Sequence, residues 1–253
     1  MFKNAIVRRP CPEMIKGLTS SSLGKPDYEK ALAQHEKYVE ALQSCGLEVK
    51  VLEADSRFPD STFVEDVALC TPACSVLTNP GAASRNGEKL EMKPVLQTYF
   101  KQVESVEFPG TLDAGDVMMV GQHFYIGLSE RTNVEGAEQL MRILEEFGMT
   151  GSKVPLQKML HLKSGVSYLE QNKLLVTGEF IQHSAFHTFD RLEVDPDESY
   201  AANSLWINSK VLVPEGFPKT RKKIEQAGYH TLTLNVSEFQ KLDGGLSCLS
   251  LRF

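Results

Sequence analysis

The feature that most constrains this chain of 253 residues is a loosely repeated order of elements: an apolar strand, a second strand, an amphipathic helix, then a third strand. The first such unit reads as strands over 67–69 and 75–78, a helix over 91–101 and a strand over 103–108. The second has strands over 116–120 and 124–126, a helix over 134–147 stopped by Gly148, and an extended stretch at 153–155. Strands over 166–169 and 173–176, a helix near 180–188 and a strand over 190–194 make the third. The fourth is the clearest, with strands over 205–207 and 210–213, a helix over 219–227 followed by Gly228, and a strand over 231–234. A fifth unit closes only if a C-terminal strand over 248–251 lies beside Ala5-Ile6-Val7, ahead of the helix over 28–43 and the strand over 48–52.

A unit of this size cannot bury its apolar face alone and must pack on its neighbours. The pattern therefore predicts an α/β fold in which one domain over 1–253 closes into a propeller-like ring of five units with adjacent termini. An ordinary open α/β sheet uses the same elements and stands as the alternative. With 42% apolar and 24% charged residues, the chain is long enough to bury a sizeable core. The net charge of −6, without a lysine or arginine block, argues against nucleic-acid backbones and anionic membranes and suits a small cationic ligand. Neither a signal peptide nor a membrane span is expected, because charge resumes at Arg8 and Arg9 after a very short apolar stretch; the expected compartment is the cytoplasm. Five cysteines without CxxC spacing support neither a disulfide framework nor a zinc site.

Cys248, behind Gly244-Gly245 and Ser247, is the candidate nucleophile. The small neighbours are expected to let the backbone turn tightly and a ligand approach, although an arbitrary cysteine is more often a buried core residue. Among six histidines, His161 is placed where a loop presents it before a strand, as a proton carrier needs. His183 and His187, four apart on the expected third helix, are read as surface residues. Asp60, Glu65, Asp66, Asp113 and Asp116 lie in or beside loops that precede strands, and paired carboxylates match the planar N–H donors of a guanidinium. Asp113-Ala114-Gly115-Asp116 reads equally as a turn whose side chains cap their own backbone. Arg85 and Arg131, ahead of helices in successive units, can clamp a carboxylate or simply aid solubility.

Taken together, the segments 60–66, 112–117, 129–133, 161–164 and 243–248 resemble dimethylarginine dimethylaminohydrolases of the guanidino-modifying superfamily, in the same order over nearly the whole chain. The resemblance implies the pentein fold, a five-bladed ββαβ propeller with pseudo-fivefold repeats. It implies hydrolysis of Nω,Nω-dimethyl-L-arginine or Nω-methyl-L-arginine to L-citrulline and dimethylamine or methylamine through a covalent thiouronium on Cys248. In that scheme His161 serves as acid and then base, Asp113 pairs with the guanidinium, and Asp66 binds its nitrogens. Asp60 and Glu65 would shape the same end of the pocket, and Arg85 and Arg131 would hold the α-carboxylate. Leu18 would belong to a lid, and Leu242 would offer a backbone contact near the nucleophile. No cofactor or metal is implied; the partner would be a small methylated arginine, and a homodimer is an open assembly.

Two departures stand out. Asp113 is one methylene shorter than the glutamate of many bacterial relatives, and Lys163 stands where arginine deiminases carry an aspartate that grips an unsubstituted guanidinium, which favours an alkylated substrate. Deimination of arginine or agmatine, amidino transfer, and a non-catalytic arginine-binding pentein are the competing readings. Agmatine is disfavoured because it has no carboxylate for Arg85 and Arg131.

Overall fold

The computed structural model describes residues 1–253. The chain forms β1 (Asn4–Arg8), α1 (Tyr28–Ser44), β2 (Glu48–Leu52), β3 (Ala68–Cys70), β4 (Ser75–Leu77), α2 (Glu88–Leu96) and β5 (Val103–Ser105). It continues through β6 (Val117–Val120), β7 (His123–Leu128), α3 (Val134–Glu146), β8 (Thr150–Pro155), α4 (Leu162–Gly165), β9 (Val166–Tyr168), β10 (Lys173–Val176) and β11 (Asp190–Glu193). The last elements are β12 (Leu205–Ile207), β13 (Lys210–Pro214), α5 (Pro218–Gln226), β14 (His230–Leu234), α6 (Ser237–Gln240) and β15 (Leu251–Arg252).

The strands pair into five sheets of three. In each, the first strand runs antiparallel to the second, and the second runs parallel to the third. A parallel pair needs a long crossover, which is why a helical segment separates the second and third strands of every unit. Caps fix the helix ends locally: Asp27 accepts from Lys30 N and Asn133 from Gly136 N, while Gly148 and Gly228 follow α3 and α5 with positive φ.

Ring closure is read from the core. Five apolar clusters each bridge two consecutive units. Leu69 and Val76 pack with Phe124 and Ile126, Met118 and Val154 with Val166 and Leu174, and Leu169 and Leu175 with Val211 and Ile224. Ile207 and Leu212 pack with Val7 and Tyr38, and Ile6 and Leu251 return to Ala68 and Leu77. An open sheet would leave one such interface unmade, so the ring and not the open sheet is the architecture. The seam is covalently split: Ala5 pairs with Arg252 and Ile6 with Leu251, joining the two termini.

Three expectations need correction. The third unit has no helix over 180–188; two short 3₁₀ turns, Gly178–Phe180 and Ser184–Phe186, replace it. Gly178 sits at φ 56, and the His183 ring accepts from Ala185 N, which favours a turn over helix continuation. His183 and His187 therefore share no helix face. In the first unit α2 begins at Glu88 and ends at Leu96, with Pro94 inside it removing one helical donor. Finally, Cys248 lies in a 3₁₀ turn, Ser247–Leu249, and the terminal strand begins only at Leu251.

Candidate active site

The ring repeats a device as well as a topology. Before each first strand stands a short helical turn: Val64–Val67 before β3, Ala114–Asp116 before β6, α4 before β9, Pro196–Ala202 before β12, and Ser247–Leu249 before β15. The first strands line an axial cavity of about 140 Å³, so the turns that precede them converge near the axis. Four of those turns carry or adjoin the expected chemistry: Glu65 and Asp66, Asp113 and Asp116, His161 and Lys163, and Cys248. A second cavity of about 280 Å³ brings Leu18, Asp60, Asp66, Arg85, Asp113, Arg131, His161, Leu242 and Cys248 into one wall.

His161 caps α4 and faces three carboxylates. Its Nε2 lies 4.0 Å from Asp66 Oδ1 and 3.9 Å from Asp113 Oδ2, and its Nδ1 lies 3.4 Å from Asp116 Oδ2. The Nδ1 contact is an ion-pair approach rather than a well-formed hydrogen bond. Asp116 is fully buried and immobilised, accepting from Ser129 Oγ and Thr132 Oγ1 at 2.7 Å each and from Leu162 N at 2.9 Å. Burial alone would disfavour the imidazolium, but the carboxylates, led by Asp116, outweigh it and hold the His161 pKa at about 9. Asp113 is raised as well, which for a carboxyl favours the neutral form: burial and the neighbouring Asp66 charge push it up to about 7. Asp66 resists its burial because Arg85 and His161 keep it below the ordinary carboxylate range.

This geometry explains the Asp-Ala-Gly-Asp segment. Asp113 Oδ1 accepts from Gly81 N at 2.8 Å, and Asp116 accepts from Ser129 and Thr132 beyond the hairpin of its own unit and from Leu162 of the third, so neither side chain caps its own turn. A Cβ on Gly115 would stand 2.8 Å from Asp66 Oδ1 and 3.1 Å from the His161 ring. Glycine is needed there for close approach, not for a left-handed backbone.

Cys248 is partly accessible, and Gly245 N donates to its Sγ at 3.4 Å. Burial, followed by the charges of Glu65 and Asp66, pushes its thiol up to about 12. The preceding loop is pinned on several sides. Tyr38 Oη donates to Leu246 O and Tyr200 Oη to Gly244 O, while Asn203 accepts from Ser247 N. The two glycines serve packing: a Cβ on Gly244 would meet the Phe63 ring at 2.2 Å, and one on Gly245 would meet Asn203 at 2.6 Å. The tight turn expected of them falls instead on Asp243, at φ 57. Asp243 Oδ2 also accepts from Ser20 N at 2.6 Å, and Asp60 Oδ1 accepts from Leu18 N at 3.0 Å, so both acids fasten the 17–20 segment over the cavity.

The arginines differ. Arg85 is buried and donates to Asp66, to both Glu88 oxygens and to the Asp60 and Phe63 carbonyls. Of its five N–H groups, one on Nη1 lacks a protein acceptor. Arg131 has no acceptor on its guanidinium and is free toward a ligand. The expectation of two equivalent clamps therefore becomes one free arginine beside one that chiefly holds Asp66.

Glu65 departs further from expectation. It does not share the Asp60 end but lies behind Cys248, where Lys163 Nζ reaches its Oε1 at 2.7 Å, Arg252 Nη2 the same oxygen at 3.0 Å, and Ser247 Oγ its Oε2 at 2.8 Å. Lys163 therefore turns away from the His161 cradle. The cradle itself, with ligand atoms of Asp66, Asp113 and His161 within 4.8 Å of one another, suits a cation. A metal would require a neutral His161, which the surrounding charges oppose, whereas a guanidinium requires only the carboxylates.

Reasoning from the sequence missed Asp116 as the partner of His161 and Asp243 as a fastening for the 17–20 segment. The repeated acid in 113–116 was a signal for the first. Nothing local signalled the second, whose partners stand more than 200 positions away.

A family model described as N,N dimethylarginine dimethylhydrolase, eukaryotic, matches residues 22–191. The N(G),N(G)-dimethylarginine dimethylaminohydrolase of Pseudomonas aeruginosa is 52% identical over 100% of both chains, and that of Streptomyces coelicolor is 36% identical over 99% of this chain and 96% of its own. The Pseudomonas aeruginosa enzyme, solved as a cysteine-to-serine mutant complexed with citrulline, superposes with a TM-score of 0.99 over 100% of both chains. The N-terminal domain of a cyanobacterial arginine dihydrolase, 17% identical, shares the fold with a TM-score of 0.88 over 100% of this chain and 98% of its own. Full-length identity of this degree, on a ring of five units in which four turns bring their side chains to one site, makes the chain a member of the dimethylarginine dimethylaminohydrolase family.

Proposed function

We propose that the protein hydrolyses Nω,Nω-dimethyl-L-arginine, and Nω-methyl-L-arginine, to L-citrulline and dimethylamine or methylamine. The observation that carries this reading is a single cavity in which Cys248 and His161 stand with two buried carboxylates, Asp66 and Asp113, and with the unengaged guanidinium of Arg131. Two acids match the donors of a guanidinium, and Arg131 matches a carboxylate at the other end of the same molecule. The activity borne by the relatives' names supports the same assignment.

Cys248 is a thiol at rest, since its pKa is pushed up to about 12. A bound guanidinium adds positive charge beside the sulfur and favours the thiolate, so the substrate helps to ionise its own nucleophile; the thiol proton leaves to solvent, because His161 already carries its own. The thiolate attacks the central guanidinium carbon, forming a C–S bond. His161, held protonated at neutral pH, faces the cradle through Nε2 and gives that proton to the departing amine as its C–N bond breaks. The resulting thiouronium is attacked by water, whose proton passes to the now neutral His161. Collapse of this second adduct breaks the C–S bond, releasing citrulline and regenerating Cys248. Asp116 keeps the imidazole turned so that Nε2 does the exchange.

No helix is long and apolar enough to cross a membrane. We assign the reaction to the cytoplasm, where the five unpaired cysteines would stay reduced.

The test is citrulline formation by the purified protein with asymmetric dimethylarginine, monomethylarginine, arginine and agmatine in parallel, with Cys248→Ser as control. Turnover of the methylated arginines that disappears in the control is expected. Preference for arginine or agmatine, or citrulline formation by the serine variant, overturns the substrate or the nucleophile respectively.

A further inference from the structure

Cys248 separates two unlike electrostatic environments. Toward the substrate cavity stand Asp66, Asp113 and His161. Behind it, a pocket of about 40 Å³ is walled by Glu65, Lys163, Ser247 and Asn203 together with Cys248 itself, while His161 and Asp243 border both cavities. In that rear wall two cationic side chains share one carboxylate: Lys163 and Arg252 both contact Glu65 Oε1, at 2.7 and 3.0 Å. The side chains are 15%, 12% and 4% exposed for Lys163, Arg252 and Glu65, so water screens the trio weakly. Ser247, the residue before the nucleophile, is bound into the trio through its Oγ to Glu65 and its carbonyl to Arg252.

Counted by charge, the trio carries one surplus positive charge against the back of the sulfur. Of the three donors on the Lys163 ammonium, only one is used within the protein. An ion cluster whose sole task was to close the axis would be better balanced, because an uncompensated buried charge is costly. A thiolate at Cys248 supplies the missing negative charge.

We infer that Lys163, with Arg252 across Glu65, is a positioning residue that stabilises the Cys248 thiolate from behind. The substrate guanidinium acts on the front of the same sulfur, so the two cations flank it. Other groups also act on this thiol. His161, Asp66 and Asp113 face it from the substrate side. Asp243 and Tyr200 adjoin the rear pocket, and Tyr38 packs behind the loop. Glu65 opposes ionisation while Lys163 favours it, so removing each should have opposite effects.

This inference rests on Cys248 being the nucleophile, and the test separates the two. The rate of Cys248 alkylation by iodoacetamide is measured on the resting protein between pH 6 and 10.5, where the thiol is still mostly protonated and the rate follows the thiolate fraction, so that a change in midpoint is read as the ratio of variant to native rates at one pH; the modified peptide is followed by mass spectrometry. The measurement needs no turnover, whereas citrulline formation by Cys248→Ser examines the nucleophile on its own. In Lys163→Met the midpoint should rise, with alkylation at pH 8 falling about tenfold for each unit of rise. Lys163→Arg should restore the native profile. Glu65→Gln, which leaves both cations unopposed, should lower the midpoint and speed alkylation. A cluster that merely seals the axis would leave the midpoint in place, or move it in the same direction in Lys163→Met and Glu65→Gln; either result overturns the inference. Should Lys163→Met fail to fold, Glu65→Gln decides alone, since an unchanged or raised midpoint refutes the charge balance.

Discussion

Replacing Asp116 by Asn removes the charge nearest to His161 while keeping the size and shape of the side chain. The acceptors lost are limited, since Ser129 and Thr132 present hydroxyls that can rotate to accept from the new amide. The imidazolium, however, loses its 3.4 Å carboxylate partner. His161 is held at about 9, against 6.5 for an unperturbed histidine, and at about 1.4 kcal/mol per pH unit this rise is worth roughly 3 kcal/mol. Burial remains in the variant and pulls in the opposite direction, so the midpoint should fall by about two units or more.

The sign of the stability effect follows from proton linkage. A folded-state pKa above the unfolded value contributes stability that is complete below about 6.5 and is lost as pH rises through about 9. Urea unfolding should therefore show Asp116→Asn weaker than the native protein by about 2–3 kcal/mol at pH 6, with the gap narrowing by pH 10. Titration of the His161 Cε1 proton by NMR gives the midpoint directly. An unmoved midpoint, or a stability gap as large at pH 10 as at pH 6, would refute the pairing of Asp116 with an imidazolium.

Other perturbations act on separate parts of the site. Because Asp113 titrates at about 7, substrate affinity should drop as pH falls below that value, and Asp113→Asn should show a high KM without this dependence, measured as KM against pH. Arg131→Ala should raise KM by roughly 10- to 100-fold with a smaller change in kcat, as expected for one charged hydrogen bond to the substrate. Arg85→Ala should instead cost about 3–5 kcal/mol of stability by urea titration, because Asp66 and Glu88 lose their shared buried partner. Asp243→Gly keeps the left-handed backbone but frees Ser20 and leaves Thr19 only its bond to the Lys241 carbonyl, and limited proteolysis within residues 17–24 should accelerate several-fold while kcat changes little.

What the sequence disclosed was periodic, and what it concealed depended on partners far along the chain. Four units were legible because β4, β7, β10 and β13 alternate with recognisable punctuation, and because Gly148 and Gly228 stop their helices. The third unit misled because Ile181 and Ala185 supply apolar positions four apart, as on one helix face, while Gly178 and the His183 cap divert the backbone. Glu65 and Asp66 are adjacent in sequence and look interchangeable, yet neighbouring positions of a turn point to opposite sides, one to Lys163 and one to Arg85. Arg85 and Arg131 looked equivalent by position, but only Arg85 has a glutamate three residues on to engage it. Local spacing could not separate those cases, because each was decided by a residue on another blade or on the next turn.

The fivefold ring also constrains how its chemistry can vary. A turn before each innermost strand places one or two side chains near the axis, so the site is assembled from unrelated stretches without any long loop reaching inward. Each side chain is then oriented by the neighbouring blade: Asp116 of the second unit sets His161 of the third, and Asn203, just after the fourth turn, holds Ser247 of the fifth. A substitution in one turn should therefore disturb the chemistry of the next turn round the ring before it disturbs its own strand pairing. Asp116→Asn is the sharpest case, because its β6–β7 hairpin has its own ladder and core contacts. The lowered His161 midpoint should appear there while amide exchange in β6 and β7 stays slow, and fast exchange in that hairpin would mean that the blades do not act as separate supports.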